Sequence, residues 1–421
     1  MTNTSGKIFY GWWNVATGFV GMALCYGIFT VFAFGVFVGP LQEEFGWNRG
    51  ELSFALSMTN FAVVIASPLL GLLIDKYGVR KILIPSVVLM SICIASMGLL
   101  TANIWHLYLL YFLIPFLGAG TLPQSYSRVL IAWFNRRRGF ALGLSLSGFG
   151  VGAMLIPVVA QSIIEVAGWR VSYFIFAATV FLLALPMAIF FMRESPQEMG
   201  LSADGDTATK DQPDNDSDLT GLSGMEAMKT STYWLILFSF LLVGIGLTGV
   251  LAHLYPLLVD RGLSPQLAAR CMASIGPGII IGRIVAGYLM DRFFAPYVTA
   301  FFLLGMVAGI SILASGTTSM LVFAAALLVG MASGSEISEI AYICSRYFGK
   351  KAFGQIYGIM FAAFQVGAIF GAPLMGFYYD RAGNYIGALW LLAGIVTLPQ
   401  LLLLYLNLTL TNLLEPIKLP A

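Results

Sequence analysis

Apolar residues run in long blocks along almost the whole chain, separated by short polar or basic stretches. A run of about 20 apolar residues crosses ~30 Å of hydrocarbon as a helix. Twelve such spans are predicted near 11–38, 51–74, 82–101, 105–132, 139–165, 170–192, 232–258, 266–290, 296–315, 319–345, 354–379 and 385–410. Backbone N–H and C=O groups in lipid must find partners within their own segment, so the spans are helices. Barrel strands would instead appear as ~10-residue segments of alternating polarity. The first span exceeds a signal-peptide core and no cleavage-site pattern follows it, so it is expected to be retained.

Composition places the chain in the bilayer. Of 421 residues, 59% are apolar and 10% charged, against roughly 25% charged in soluble domains. The net charge of +2 gives no reason to expect a nucleic-acid partner, and lipid is the predicted surroundings. Lys and Arg fix the orientation. With the N-terminus inside, fifteen basic residues fall in cytoplasmic segments and five in outer loops, so both termini are expected in the cytoplasm. Cys25, Cys93, Cys271 and Cys344 all lie within spans and lack metal-ligand spacing. They read as packing residues, and neither a metal nor a cofactor is expected.

The one long polar segment, 193–231, holds nine acids, among them Glu194, Asp204 and Glu226. It is expected to be a solvated cytoplasmic linker between an N-terminal six-helix bundle, 1–192, and a C-terminal one, 232–421. The two halves echo each other. Gly71 to Asp75 recurs in degraded form as Gly287 to Asp291-Arg292. Trp133-Phe134 to Gly143 aligns with Tyr347-Phe348 to Gly358. Gly152 precedes Gly367 by 215 positions, and Pro157 precedes Pro373 by 216. Parallel halves of this kind characterise a large class of secondary transporters that bind substrate near the membrane midplane.

The segment Gly71-x-x-x-Asp75-Lys76-x-Gly78-x-Arg80-Lys81 resembles the signature between helices 2 and 3 of the major facilitator superfamily. Together with the repeat, the likeness covers essentially the whole chain outside the linker. It implies an all-α membrane fold of twelve helices in two pseudo-symmetric six-helix bundles, working as a monomer. Physically, Gly71 permits close helix approach and Gly78 a tight turn. Asp75 can cap a neighbouring helix N-terminus or pair with loop cations as a gate, with Asp291 and Arg292 as its counterpart.

Within that superfamily, Tyr10-Gly11-Trp12-Trp13, the run Trp133-Phe134-x-Arg136-Arg137-Arg138-Gly139-x-Ala141-Leu142-Gly143 and Arg283 look like bacterial relatives of the monocarboxylate transporters. The resemblance implies that the helix-8 arginine, here Arg283, binds the substrate carboxylate. A guanidinium in lipid costs several kcal/mol unless it faces water or a partner, and its planar fork suits a carboxylate. A structural ion pair with a helix-10 acid is the competing reading. Mammalian-type relatives carry an aspartate one turn earlier, associated with proton coupling, where this chain has Ile279. Away from the span ends, the acids inside spans are Glu336 and Glu339. Both are candidates for exchanging a proton, with Glu336 preferred, although either could instead neutralise an arginine. Related oxalate:formate antiporters add a helix-11 lysine, and the corresponding position here is Phe364 or Gln365. A single fixed cation favours a monoanion.

The run Pro123-Gln124-Ser125-Tyr126-Ser127-Arg128 is unusually polar for a buried helix. Tyr126 and Gln124 are therefore candidate substrate contacts, and Arg128 a member of the loop latch. His253 is a further candidate substrate contact that can titrate near neutrality, or it simply packs. The glycines around Gly148–Gly152 and Gly276–Gly278 lack a preceding strand and read as packing and hinge points.

These residues predict a secondary transporter of a small organic monocarboxylate, similar to lactate or pyruvate, coupled to protons in the bacterial inner membrane. The alternative is an exporter of drugs or amphipathic metabolites on the same fold. An enzyme is not expected, because two histidines without ligand spacing and no nucleophile–base pattern supply no reaction centre. No Gly-x-x-x-x-Gly-Lys-Ser/Thr loop occurs, which argues against direct ATP drive.

Overall fold

The computed structural model describes residues 9–47, 49–205, 221–317 and 320–411. Every predicted span is helical. In chain order they are α1 (Gly11–Phe32), α2 (Arg49–Tyr77), α3 (Val79–Met97), α4 (Ile104–Trp133), α5 (Arg138–Ala167) and α6 (Trp169–Phe191), followed by α7 (Ser231–Asp260), α8 (Arg270–Met290), α9 (Ala295–Ala314), α10 (Leu321–Tyr347), α11 (Phe353–Ala382) and α12 (Ile386–Thr411). Among the described residues, eleven helices are long and apolar enough to cross a membrane, and α12 adds a further apolar stretch over Ile386–Leu402. The only extended pairing among the described residues is one bridge between Gly221 and Gly349. This is the all-α, twelve-helix membrane fold expected from the hydropathy pattern.

Hydropathy does not reveal where the helices break. After Ala23 the first helix loosens into a wide turn over Ile28–Phe32 and resumes as Phe34–Phe45. In α4 a tight turn at Gly118–Thr121 precedes Leu122, which is extended at ψ 152°. Pro123 dictates this, because its ring excludes the helical conformation from the preceding residue while its own fixed φ suits a helix start. Around Pro186, which offers no N–H, α6 widens over Val180–Ala184 and Met187–Phe191.

The chain forms two compact units. One comprises Met1–Gly221 with Cys344–Gly358, and the other Leu222–Ile343 with Ile359–Ala421. In the first, α1 packs on α5, α2 on α4, and α3 on α4 and α6. In the second, α12 lies along α7 and α9. The repeat noted at Gly152 and Gly367 has a shared cause. Each glycine presses against a backbone carbonyl of its unit's first helix, Ala23 for Gly152 and Leu241 for Gly367. No side chain fits there, and close backbone approach is how helices gain van der Waals contact in lipid.

The described ends of segment 193–231 are anchored, unlike a solvated tether. Glu194 accepts from the Arg80 N–H at 2.9 Å. Asp204, held at φ +61°, accepts from the backbone N–H groups of Asn135 and Arg136 at 3.1 and 2.9 Å. Ser223 and Glu226 form a reciprocal capping box at Gly224–Met228. Residues 206–220, with five of the nine acids, lie outside the described residues.

At the opposite end of the first unit a polar clip joins the helix Phe34–Phe45 to α6. Glu44 accepts from Arg170, and from Trp169 Nε1 at 2.8 Å. The Arg170 hydrogen bond chiefly holds the Glu44 carboxyl below the usual carboxylate range, with Trp169 assisting against a desolvation penalty. Arg170 also reaches the Leu100 carbonyl at 3.2 Å and lies over the Trp169 ring.

Candidate functional site

The signature loop begins with the geometry of a helix start. The residues just before α11, Lys351 and Ala352, offer no capping oxygen. Asp75 supplies it from α2: Oδ1 accepts from the Gly354 N–H at 3.0 Å and Oδ2 from the Gln355 N–H at 2.8 Å. An anion there also opposes the positive end of the α11 dipole. Arg128 Nε stands 3.7 Å from Asp75, and Arg128 Nη1 donates to the Lys350 carbonyl at 2.9 Å. Gly71 makes this possible by pressing against the Gly354 carbonyl. Asp75 thus accepts from the α11 start and stands at ion-pair distance from Arg128.

The other signature residues divide. Gly78 turns at φ +86°, and the Glu194 carboxylate fills the space a side chain would take. Arg80 donates to the Ile189 carbonyl. Lys76 and Lys81 are exposed, with Lys76 near the Tyr77 ring. In the second unit Asp291 is half-buried, and Arg292 lies 4.2 Å over the Tyr288 ring.

Arg283 is 1% exposed in α8, and its Nε donates to the Gly334 carbonyl of α10 at 3.1 Å. Its charge acts on Glu336, which is 4% exposed and whose Oε2 has no hydrogen-bond partner. The spacing of Glu336 after Gly334 explains the meeting, because the α10 backbone that accepts from Arg283 also carries the acid. Glu339 lies one turn further on, 2% exposed, among the hydroxyls of Ser335 and Thr299. The second unit therefore brings together a guanidinium and two carboxyls.

The remaining candidates are engaged elsewhere. Gln124 is fully buried in the first unit. Its Nε2 donates to the Ser67 carbonyl at 2.9 Å, and its Oε1 accepts from Ser67 Oγ at 3.3 Å. Tyr126, 2% exposed, lies directly against Gly21 of α1. His253 is half-buried, with Nε2 3.0 Å from the Ala372 carbonyl and Nδ1 3.3 Å from the Tyr385 hydroxyl. Both of its ring nitrogens are occupied.

Three residues with positional roles carry no clear site signal in the sequence. Glu194 and Asp204 read as linker acids, and nothing local distinguishes them from their neighbours. Arg138, 4% exposed, donates to the Phe134 carbonyl, to Ser345 Oγ and to Asn135 Oδ1 at 3.2, 3.2 and 3.3 Å. Its one signal is a run of three arginines, of which only this one is buried.

A family model described as Major Facilitator Superfamily matches residues 18–372. Monocarboxylate transporter 11 of Mus musculus is 24% identical over 385 residues, 89% of this chain and 83% of the relative. The uncharacterized MFS-type transporter YcxA of Bacillus subtilis is 26% identical over 370 residues, covering 84% and 85%. Among solved structures, the proton:xylose symporter XylE superposes with a TM-score of 0.76 at 17% identity, covering 94% of this chain and 95% of that one. The transporter FucP gives 0.69 at 18%, covering 93% and 97%. At such identities the two structures speak for the fold alone.

Proposed function

The chain belongs to the Major Facilitator Superfamily, and from that premise we propose that it is a secondary transporter carrying a small organic monocarboxylate together with a proton. The observation that carries this reading is the buried Arg283 beside Glu336. A guanidinium in a dry site needs a counter-anion, and a substrate carboxylate matches its fork. When substrate takes the place beside Arg283, Glu336 loses its neutralising partner. A buried carboxylate in that condition is relieved by taking up a proton. Substrate release and proton release then restore the pair, and one monoanion moves with one proton. Similarity to monocarboxylate transporters supports the substrate class, as does the lack of lysine between Lys351 and Lys418.

In this reading Asp75, Arg128, Gly71 and the α11 start form a latch that opens during alternating access. Tyr126 offers a hydroxyl to substrate, while Gln124 and His253 hold helices in place. The excess of Lys and Arg on one set of loops supports both termini in the cytoplasm. Bacterial relatives among the matches support the inner membrane.

The test is uptake of labelled lactate, pyruvate, acetate and aromatic acids into proteoliposomes, with and without an inward proton gradient. Two charge-assisted hydrogen bonds of about 1.5–3 kcal/mol each make Arg283→Ala cost about 100-fold or more in kcat/KM. Glu336→Gln is expected to keep substrate exchange and lose proton-driven accumulation. Uptake unchanged in Arg283→Ala would refute the clamp. One observation favours a second reading: Arg283 already bonds to Gly334 and neighbours Glu336, as a structural pair would. An exporter of amphipathic compounds would then be insensitive to organic anions and would expel a fluorescent amphiphile.

A further inference from the structure

Segment 193–231 ends in a single helical turn, Gly224–Met228, just before the span α7. The acid of this turn is engaged locally. Glu226 accepts from the Ser223 N–H at 2.8 Å and from Ser223 Oγ at 2.7 Å. Residues three apart share one face of a helix. Gly224 and Ala227 are buried on one face. Met225 and Met228 are exposed on the other, Met225 by 73%. Two methionines held out into water gain nothing from the hydrophobic effect, whereas against hydrocarbon they do.

The turn is tied to the span beside it. Trp234 Nε1 donates to the Met228 carbonyl at 2.9 Å, a group that a helix end leaves without an intrahelical donor. Trp234 lies in the first turn of α7 and is 43% exposed, with Phe238 exposed one turn on and the two rings 6.2 Å apart. Exposed aromatic side chains of a span face lipid. Tryptophan concentrates where hydrocarbon meets headgroups, because its ring is apolar and its N–H needs a partner. Met225 and Met228 therefore continue the lipid face of α7 past the end of the span. Lys229 follows them, exposed, with an apolar stem and an ammonium long enough to reach phosphate.

We propose that Gly224–Met228 is a membrane-surface anchor, in which Met225 and Met228 insert among phospholipid acyl chains in the leaflet where α7 begins. The Trp234 indole fixes the turn at that depth. The end of segment 193–231 is then lipid-bound, and its solvated stretch stops before Ser223. The inference concerns a surface alone and does not depend on what is transported.

The test uses the full-length protein in phospholipid nanodiscs, with an environment-sensitive fluorophore on the thiol introduced by Met225→Cys. Cys25, Cys93, Cys271 and Cys344 are buried, so labelling is selective. Arg137→Cys, at an exposed loop position, carries the same label as the reference and controls for the fluorophore's own affinity for lipid. Phospholipid brominated high on the acyl chain should quench the Met225 label and not the reference, and iodide in the water should do the reverse. Iodide quenching equal to the reference would return the turn to water and overturn the anchor. Protection from iodide without quenching by brominated lipid would overturn it too, because protein would then cover the methionines. Amide exchange supplies a second measurement that needs no label, and it decides if Met225→Cys fails to fold. Trp234→Phe keeps the apolar ring but loses the N–H, so the peptide 224–230 should exchange about fivefold faster, the worth of one hydrogen bond. Met225→Asp should accelerate the same peptide in nanodiscs by expelling the turn from the acyl region. Parental exchange in both variants would overturn the anchor. Uptake can fail while the turn stays in lipid, and the reverse, so this reading and the transport reading stand or fall separately.

Discussion

Asp75→Asn removes a charge from the α11 start while keeping the side chain's shape. In the parent protein the carboxylate accepts two backbone N–H groups, at 3.0 and 2.8 Å, with Arg128 at 3.7 Å. Its side chain is only 15% exposed, so water can replace little of what is lost. Hydrogen bonds to a charged group contribute about 1.5–3 kcal/mol each. The introduced amide can keep one as a neutral bond but turns its NH2 toward the second donor. A local loss of roughly 2–3 kcal/mol follows. At 1.4 kcal/mol per factor of ten, that is roughly 30–140-fold in the local opening equilibrium. Hydrogen exchange followed by mass spectrometry reads this directly on the peptide containing Gly354 and Gln355. Those two amides should exchange faster by that factor, while peptides from the centre of α9 stay unchanged. Lys76→Ala, at an exposed neighbour, should leave the peptide unaltered. If Asp75→Asn exchanges at the parental rate there, the capping argument is refuted, because no other acceptor would explain the protection.

Gly152→Ala and Gly367→Ala drive a methyl group into the carbonyls of Ala23 and Leu241. Overpacking costs about 1–3 kcal/mol, so each should lower the unfolding midpoint by about 2–12 °C, and an unchanged midpoint would contradict the close-packing account. Glu44 gives a pH prediction. Its carboxyl is held below the usual range by Arg170, so the clip's contribution is complete above the ordinary carboxylate pKa and is lost as pH falls through the lowered one. With the pair 38–39% exposed, the effect is at most about 1 kcal/mol and is screened by salt. Glu44→Gln should flatten the midpoint's dependence below about pH 5 at low salt, and a slope identical to the parent's would assign it to other carboxylates.

The helices were legible because lipid removes every alternative for the backbone, so hydropathy and length alone determine where α2 or α7 lies. Their interruptions were not. The break before Pro123 was written in one residue, but the widened turn at Ile28–Phe32 has no such marker. The cap at α11 was legible in kind, since an aspartate at a fixed spacing from a glycine is rare in an apolar chain. Its recipient lies 279 positions away and could not be read. Arg283 and Glu336 stood out as charges inside spans, where each needs a partner. The linker misled because composition averages over residues. Nine acids look solvated as a group, yet Glu194 and Asp204 each hold backbone donors from other segments, the α3 start and the loop after α4.

Glu194 alters what the signature segment is. Its carboxylate occupies the volume where Gly78 would carry a side chain, and it accepts the N–H of Arg80, 114 positions earlier in the chain. The glycine therefore serves as a socket as well as a turn, and the motif has a member that no contiguous pattern contains. A chimera that exchanges α6 and the segment after it, while preserving 71–81, would carry an intact signature with an empty socket. Transplanting Glu194 along with the loop is the condition under which the signature remains a functional unit.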